Sequence, residues 1–156
     1  MPVNPIPDDY PQVIPYLTVD GASEAIDFYV KVLGAKERMR MEAPGGKIGH
    51  AEIEIGRGLV MLSDEFPDMG GKSPGTVGGT PVTVMAYVED VDDTFRRALD
   101  GGAKEVRPVE NQFYGDRSGL FEDPFGHLWY IATHVEDVSE EEMAKRAAEA
   151  MGGGGA

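Results

Sequence analysis

The sequence contains no cysteine, and its 28 acidic side chains outnumber its 14 basic side chains two to one. Without cysteine the protein has no disulfide, no thiolate metal site and no thiol nucleophile. A formal net charge of −14 would repel both a phosphate backbone and an anionic lipid surface. We therefore expect neither nucleic acid nor a membrane among the partners of this chain.

Long hydrophobic runs are also missing. Apolar runs such as residues 59–62 are far too short to cross a bilayer. Residues 1–12 form a proline-broken N-terminal arm without a basic, apolar leader, so we expect no signal peptide and a cytoplasmic protein. The chain has 156 residues, of which 41% are hydrophobic, and this composition is typical of one globular domain.

Two halves of the chain carry the same order of predicted elements, β-α-β-β-β. Each half begins with an alternating apolar strand, continues with an amphipathic helix closed by glycine, and ends with three short strands. The first half has these elements at residues 13–19, 22–33, 35–42, 50–55 and 59–63, and the second at 82–88, 91–99, 103–110, 117–122 and 127–133.

The residues themselves repeat as well. The tetrapeptide at 34–37 recurs at 102–105, and at an offset of 69 positions Val19 corresponds to Val88 and Leu62 to Ile131. This internal repeat predicts two related modules in one domain. The predicted segments are an arm at 1–12, a domain at 13–137 with modules at 13–65 and 82–134 joined by a linker at 66–81, a C-terminal helix at 138–151 and a flexible tail at 152–156.

Three motifs identify a family resemblance. They are Ile26–Tyr29 with the following Val32–Ala35, His50–Ile53, and Glu122–His127. With them the sequence resembles the vicinal oxygen chelate superfamily, and within it the PhnB-like branch of the glyoxalase/bleomycin-resistance group. The resemblance implies an α+β fold in which paired βαβββ modules curl their sheets around one cavity, and commonly a homodimer. It does not fix a reaction, because this fold serves several chemistries.

Strand alternation predicts which side chains line that cavity, because the face toward the helices must be apolar. The remaining face is mostly aromatic and apolar with a few hydroxyl groups, which is typical of a small-molecule site. An aromatic loop at 113–117 offers a stacking surface and a cation, although a hairpin turn with a surface ion pair explains it equally. The predicted ligand-binding residues are Tyr16, Met61, Thr83, Met85, Tyr87, Tyr114, Arg117, Tyr130 and His134.

The resemblance places metal ligands at strand positions that here are Ile14, Met61, Thr83 and Tyr130. None of these side chains is a usual ligand of a divalent transition metal. We therefore predict no metal and no other cofactor.

An alternative metal site consists of His50, Glu52 and Glu54, which share one face of the third strand. Neighbouring residues on one strand face stand about 7 Å apart, so close chelation needs a donor from another strand. His127 is expected to bond to the bend at 123–124 instead of binding a ligand.

Three functions remain open at this point. The first is a metal-independent protein that binds a small molecule, resembling the drug-sequestering members of the group. The second is a glyoxalase-like, metal-dependent lyase or isomerase with a displaced site. The third is a metal-free enzyme in which Tyr130 or His134 acts as general acid or base. An apolar stripe on the C-terminal helix and the edges of small sheets favour a homodimer.

Overall fold

The computed structural model describes residues 2–153 and divides them into two sheets and four α-helices. Residues 154–156 of the predicted tail lie outside the described part, and Gly152 and Gly153 belong to the last helix. The first module holds β1 (Tyr16–Val19), α1 (Ala22–Leu33), β2 (Lys36–Glu42), β3 (Ile48–Ile55) and β4 (Gly58–Asp64). After α2 (Pro74–Val77) come β5 (Thr83–Tyr87), α3 (Val91–Asp100), β6 (Lys104–Asn111), β7 (Asp116–Glu122), β8 (Leu128–His134) and α4 (Glu140–Gly153).

The two sheets have the same topology, with strand orders β1-β4-β3-β2 and β5-β8-β7-β6. In each sheet the first strand runs parallel to the last strand of its module, and the other pairs are antiparallel. Leu17 pairs with Leu62, and Ala86 pairs with Ile131, which are the same two positions shifted by 69. The predicted α+β fold of two βαβββ modules is thus confirmed.

The predicted linker at 66–81 contains local structure. Pro67–Met69 forms a 3₁₀ turn, and Pro74 starts the short helix α2, where its fixed φ angle and missing N–H suit the first position. The Glu65 carboxylate accepts hydrogen bonds from the Ser73 amide, at 2.9 Å, and from the Thr76 hydroxyl. These contacts tie the connection to the end of β4.

One hydrophobic core serves both modules. Helices α1 and α3 pack against each other between the sheets. The ring of Phe28 in α1 packs edge-on against Phe121 in β7, which also contacts Phe95 in α3. Tyr29 donates a hydrogen bond of 2.5 Å to the buried Asp123 carboxylate of the second module, and burial raises the pKa of Tyr29 well above its ordinary value. Because the helix-facing sides of both sheets are used in this core, the opposite sides are free to form sites.

The last strand of each module caps the helix of that module. Asp64 at the end of β4 accepts hydrogen bonds from the amides of Gly21 and Ala22 at the start of α1. Thr133 near the end of β8 accepts one from the Val91 amide at the start of α3. Sequence analysis did not predict these caps, because the capping residue is more than 40 positions from the helix it serves.

None of the helices in the described part of the chain has both the length and the apolar character needed to traverse a lipid bilayer.

Candidate functional site

The predicted site residues divide between the two sheets, on the sides that face away from the core. We call these sides the first open face, which carries Tyr16, His50, Glu52 and Met61, and the second open face. The second open face consists of Thr83, Met85, Tyr87, Asp116, Ser118, Tyr130 and His134, with Tyr114 from the adjoining turn.

On the first open face, three polar side chains form a continuous hydrogen-bonded chain. The Tyr16 hydroxyl lies 2.9 Å from Nδ1 of His50, and Nε2 of the same imidazole lies 2.9 Å from Oε2 of Glu52. A carboxylate can only accept, so in the neutral form of the imidazole the proton lies on Nε2 and Nδ1 accepts the Tyr16 hydroxyl. Tyr16 is 50% exposed, the His50 side chain 25% and the Glu52 side chain 4%, so the chain runs from solvent into the protein.

The N-terminal arm covers the buried end of this chain. The Tyr10 hydroxyl donates a hydrogen bond of 2.9 Å to Oε1 of Glu52, and the guanidinium of Arg38 lies over the Tyr10 ring and bonds to Asp9. Burial by itself would raise the pKa of Glu52, but the hydrogen bonds from His50 and Tyr10 outweigh it, and the pKa is lowered. Glu52 is therefore an ionised, fully bonded carboxylate.

Sequence analysis missed Tyr10 and Arg38. Tyr10 lies in the arm, where no strand pattern assigns a direction to side chains. Arg38 lies at a register shift between Glu37 and Met39, so simple alternation does not indicate its side. The acidic Asp8-Asp9 pair beside a tyrosine is the only local signal that this arm has a partner.

The four positions at which the resemblance implies metal ligands carry side chains that do not fit a divalent cation, namely Ile14, Met61, Thr83 and Tyr130. The strand register sets Tyr16 beside Met61 and Met85 beside Tyr130, whereas Ile14 precedes β1 and Thr83 pairs with Leu128. Thioethers and neutral phenols are poor ligands for divalent metals that bind imidazole and carboxylate.

The alternative metal set is also incomplete. His50 and Glu52 bond to each other, but Glu54 lies further along β3, between Lys36 and Leu59 in the neighbouring strands. Within residues 2–153 no three His, Cys, Asp or Glu side chains stand close enough to hold one ion. The expected spacing of about 7 Å applies to the backbone, and the two longer side chains close that gap by leaning together.

The second open face carries a cluster of hydroxyl groups. The hydroxyls of Tyr114 and Tyr130 bond to each other, and Oγ of Ser118 lies 2.6 Å from the Tyr130 oxygen. Burial and the bond to Tyr130 raise the pKa of Tyr114 to about 12. This cluster offers donors and acceptors to a ligand but holds no charge near neutral pH.

A second polar group on this face is built around a buried aspartate. Asp116 accepts hydrogen bonds from the Tyr87 hydroxyl, at 2.9 Å, and from Nδ1 of His134, at 2.8 Å. Nε2 of His134 lies 2.7 Å from Asp137. The bonds to Asp116 and then to Asp137 raise the pKa of His134 above its ordinary value. His134 is thus held by its carboxylates at the edge of the face.

Thr83 and Met85 are exposed on β5. Met85 and Tyr87 also line a cleft of about 550 Å³ between the modules, whose other wall includes Leu59 and Val13, the residue that follows the arm. This cleft lies between β5 and the start of β4, so it joins the second open face to the first module.

Two predicted residues lie away from both faces. Arg117 points to the helix side of β7 and bonds to the Asp92 carboxylate through two nitrogens, at 2.8 and 2.9 Å. This arrangement matches the alternative of a surface ion pair and not the predicted ligand contact. His127 bonds through Nε2 to the carbonyl of Thr18, while its backbone amide, not its ring, bonds to the Asp123 bend.

Comparison with known proteins identifies the family. The profile of the Glyoxalase/Bleomycin resistance protein/Dioxygenase superfamily matches residues 11–131. The chain belongs to this superfamily. Uncharacterized protein Rv0887c of Mycobacterium tuberculosis is 48% identical over 136 residues, which cover 85% of this chain and 80% of that protein.

Two solved structures illustrate the shared fold. The crystal structure of TioX from Micromonospora sp. ML1 superposes with a TM-score of 0.63 and 31% identity, covering 80% of this chain and 99% of TioX. A PhnB protein from Bacillus cereus gives a TM-score of 0.63 at 15% identity, over 79% of this chain and 99% of that chain. The likeness to the PhnB protein shows a shared fold, whereas the predicted membership of the glyoxalase/bleomycin-resistance superfamily is confirmed by the family profile.

Proposed function

We propose that this protein binds a small, partly aromatic molecule on its open sheet faces and does so without a metal. The observation that carries the proposal is the make-up of these faces, where large apolar and aromatic side chains remain exposed beside a few fixed polar groups. Such a mixture is typical of ligand sites, in which apolar contact supplies affinity and a few polar groups supply orientation. Tyr16, Met85 and Tyr87 are the largest of these exposed side chains.

We further propose that a second copy of the chain completes the site. Tyr16 is 50% exposed and Tyr87 is 60% exposed. Contact between water and a large apolar surface is unfavourable, so a face of this composition is more stable when another surface covers it. A homodimer in which an open face of one copy faces an open face of the other would enclose a ligand between them. Sedimentation at micromolar concentration should then give a species near twice the 16.8 kDa chain mass, and a species at the chain mass would contradict the dimer.

Metal independence is part of the proposal because the positions at which the resemblance implies metal ligands carry Ile14, Met61, Thr83 and Tyr130, none of which is a usual ligand of a divalent transition metal. The alternative, a glyoxalase-like metal-dependent lyase or isomerase, would need His50 and Glu52 to leave their mutual hydrogen bond and recruit a third donor. That requirement favours the binding protein over the metalloenzyme.

The binding of a neutral fluorescent dye, N-phenyl-1-naphthylamine, tests this function. We expect saturable binding that EDTA does not change and that Met61→Glu and Met85→Glu each weaken by about tenfold or more, because a carboxylate on an apolar face repels an apolar ligand. Met69→Glu is the matched control, since Met69 is exposed in the connection outside both faces.

Two results would contradict the proposal. Binding that does not saturate would show that the faces are not a site. Binding that EDTA abolishes and added Mn²⁺ or Zn²⁺ restores would favour the metal-dependent alternative.

A further inference from the structure

We propose that Tyr16, His50 and Glu52 form a proton relay that takes the hydroxyl proton of a bound neutral phenol or enol, so that the ligand is held as its anion. The inference rests on the proposed function, because the ligand must reach the first open face. It adds a chemical class of ligand and a role for each residue. Tyr16 contacts the ligand, His50 stores the proton, and Glu52 positions and neutralises His50.

The geometry of the three groups is directional. The exposed end is the Tyr16 oxygen, which lies 2.9 Å from Nδ1 of His50 and donates its proton to that nitrogen when the imidazole is neutral. The buried end is Glu52, which receives the Nε2 proton at 2.9 Å and is fixed on its other oxygen by the Tyr10 hydroxyl. A proton entering at Tyr16 therefore has one path, toward the carboxylate.

The proton transfer balances without a co-reactant. The O–H bond of the ligand breaks and its proton passes to the Tyr16 oxygen. At the same time the original Tyr16 proton passes to Nδ1 of His50. The products are a ligand anion, a neutral Tyr16 and a His50 imidazolium, whose charge is compensated by the adjacent Glu52.

The fold does not require this relay. In the second module the position of Tyr16 is Met85, that of His50 is Ser118 and that of Glu52 is Leu120, as the strand registers show. The same backbone therefore forms with no histidine and no carboxylate at those positions.

The charge of the protein explains why a neutral acid is the fitting ligand class. The formal net charge of −14 disfavours the approach of a ligand that is already an anion. A neutral hydroxyl compound approaches without this penalty and acquires its charge only where His50 becomes a cation.

The test compares 4-nitrophenol with 4-nitroanisole, its methyl ether, which has the same ring but no acidic proton. The two compounds are titrated into the full-length protein over a range of pH, and the anionic fraction of the bound phenol is compared with that of free 4-nitrophenol at each pH. In wild type we expect the phenol to bind at least about tenfold more tightly than the ether and to show the visible absorption of its anion. In Tyr16→Phe and His50→Gln the preference should fall to about twofold or less, and the bound phenol should be no more ionised than the free phenol at the same pH.

His127→Gln is the matched histidine control, because His127 bonds to a carbonyl away from both faces. It should retain the full preference for 4-nitrophenol. Nitrogen-15 NMR of the wild-type imidazoles gives a second measurement that needs no variant. Addition of 4-nitrophenol should protonate His50 at Nδ1, and addition of 4-nitroanisole should not.

The outcomes separate the relay from the proposed function. Binding of both compounds with equal affinity, or binding of 4-nitrophenol as the neutral phenol, would overturn the relay and leave the binding function intact. A Tyr16→Phe variant that keeps the preference would also overturn it. If neither compound nor the neutral dye binds, both proposals are wrong.

Discussion

Asp64 and Thr133 occupy equivalent positions at the ends of β4 and β8, and each caps the helix of its own module in a different way. Asp64 is a buried carboxylate that accepts three backbone amides, those of Gly21, Ala22 and Ile48. Thr133 accepts only the Val91 amide and donates its hydroxyl to a carbonyl.

The residue before each helix explains the difference between the caps. In the second module Asp90 is the N-cap and bonds to the Asp93 amide, whereas the equivalent position in the first module is Gly21, which has no side chain to offer. The orphan amides of a helix start must be satisfied in both modules. In the first module the distant Asp64 carboxylate accepts these amides, and in the second module Asp90 and Thr133 each accept one.

The largest expected effect comes from removing the distant anion. We expect Asp64→Ala to lower the free energy of unfolding by about 3 kcal/mol, because buried amides lose a charged acceptor. Thr133→Val should lower it by only about 1 kcal/mol, since Asp90 still caps α3. Urea denaturation followed by circular dichroism measures both.

Asp64→Asn is the conservative comparison for this prediction. Its amide retains one acceptor oxygen, so its loss of stability should lie between those of wild type and Asp64→Ala. Equal losses of stability for Asp64→Ala and Thr133→Val would show that the two caps contribute equally to the free energy of unfolding.

The two modules also differ in how they pack β3 and β7 under their helices. Gly119 in β7 takes the position of Ala51 in β3, and a Cβ built on Gly119 would lie 2.8 Å from the ring of Phe95 and 2.9 Å from Val109. In the first module the residue equivalent to Phe95 is the smaller Ile26. The second module thus combines the large Phe95 ring with glycine, whereas the first module combines the smaller Ile26 with alanine at the same two positions.

Overpacking should therefore make Gly119→Ala destabilising by about 2 kcal/mol. Phe95→Ile is destabilising by itself because it leaves a cavity. The double variant should be more stable than the sum of the single changes predicts, by about 1 kcal/mol, since it restores the pairing of the first module. Strict additivity in a double-mutant cycle would show that Phe95 does not occupy the space above Gly119.

The fold was predictable from the sequence because the repeat and the alternation are properties of backbone position. An offset of 69 and a period of two suffice to predict two βαβββ modules and to assign Tyr16 to the side away from the helices. The site was predictable only in part, because alternation indicates a side of the sheet and not a partner. The bond between His50 and Glu52 depends on how two side chains lean.

Arg117 is a second residue whose partner could not be predicted from the sequence. Its loop composition suits a ligand contact and an ion pair equally, and the choice depends on Asp92, which is 25 residues away in α3. The helix caps at Asp64 and Thr133 and the arm contact at Tyr10 also depend on distant partners. Long-range pairing of this kind is what a single sequence does not display.

The arm over the first open face has no counterpart in the second module, and its contact can be broken selectively. Tyr10→Phe removes the hydroxyl that bonds to Glu52 but keeps the ring beneath Arg38. We expect limited proteolysis within residues 2–15 to become several-fold faster, because local opening of the arm then costs less free energy. Tyr114→Phe, on the second open face, should not change the rate of cleavage in the arm, and an unchanged rate in Tyr10→Phe would show that the hydroxyl does not anchor it.

The smallest effects concern the residues that follow the two caps, Glu65 and His134, which again occupy equivalent positions. Hydrogen bonds from the Ser73 amide and the Thr76 hydroxyl lower the pKa of Glu65, whereas bonds to Asp116 and Asp137 raise the pKa of His134. The contribution of Glu65 is therefore present above its ordinary pKa of about 4.5 and is lost as pH falls through the lowered value. The contribution of His134 is present below its ordinary pKa of about 6.5 and is lost as pH rises through the raised value.

Urea titrations of Glu65→Gln and His134→Gln across the pH range should reveal these opposite signs. The stability difference between wild type and His134→Gln should be largest at about pH 6 and shrink toward about pH 9. The difference between wild type and Glu65→Gln should be constant over that interval and shrink only in acid, below about pH 4. His134 is exposed and Glu65 is only partly buried, so each difference is small and decreases with added salt. A stability difference between wild type and His134→Gln that grows as pH rises would mean that the neutral imidazole makes the stabilising contacts. The contributions of His134 and Glu65 would then no longer depend on pH in opposite directions.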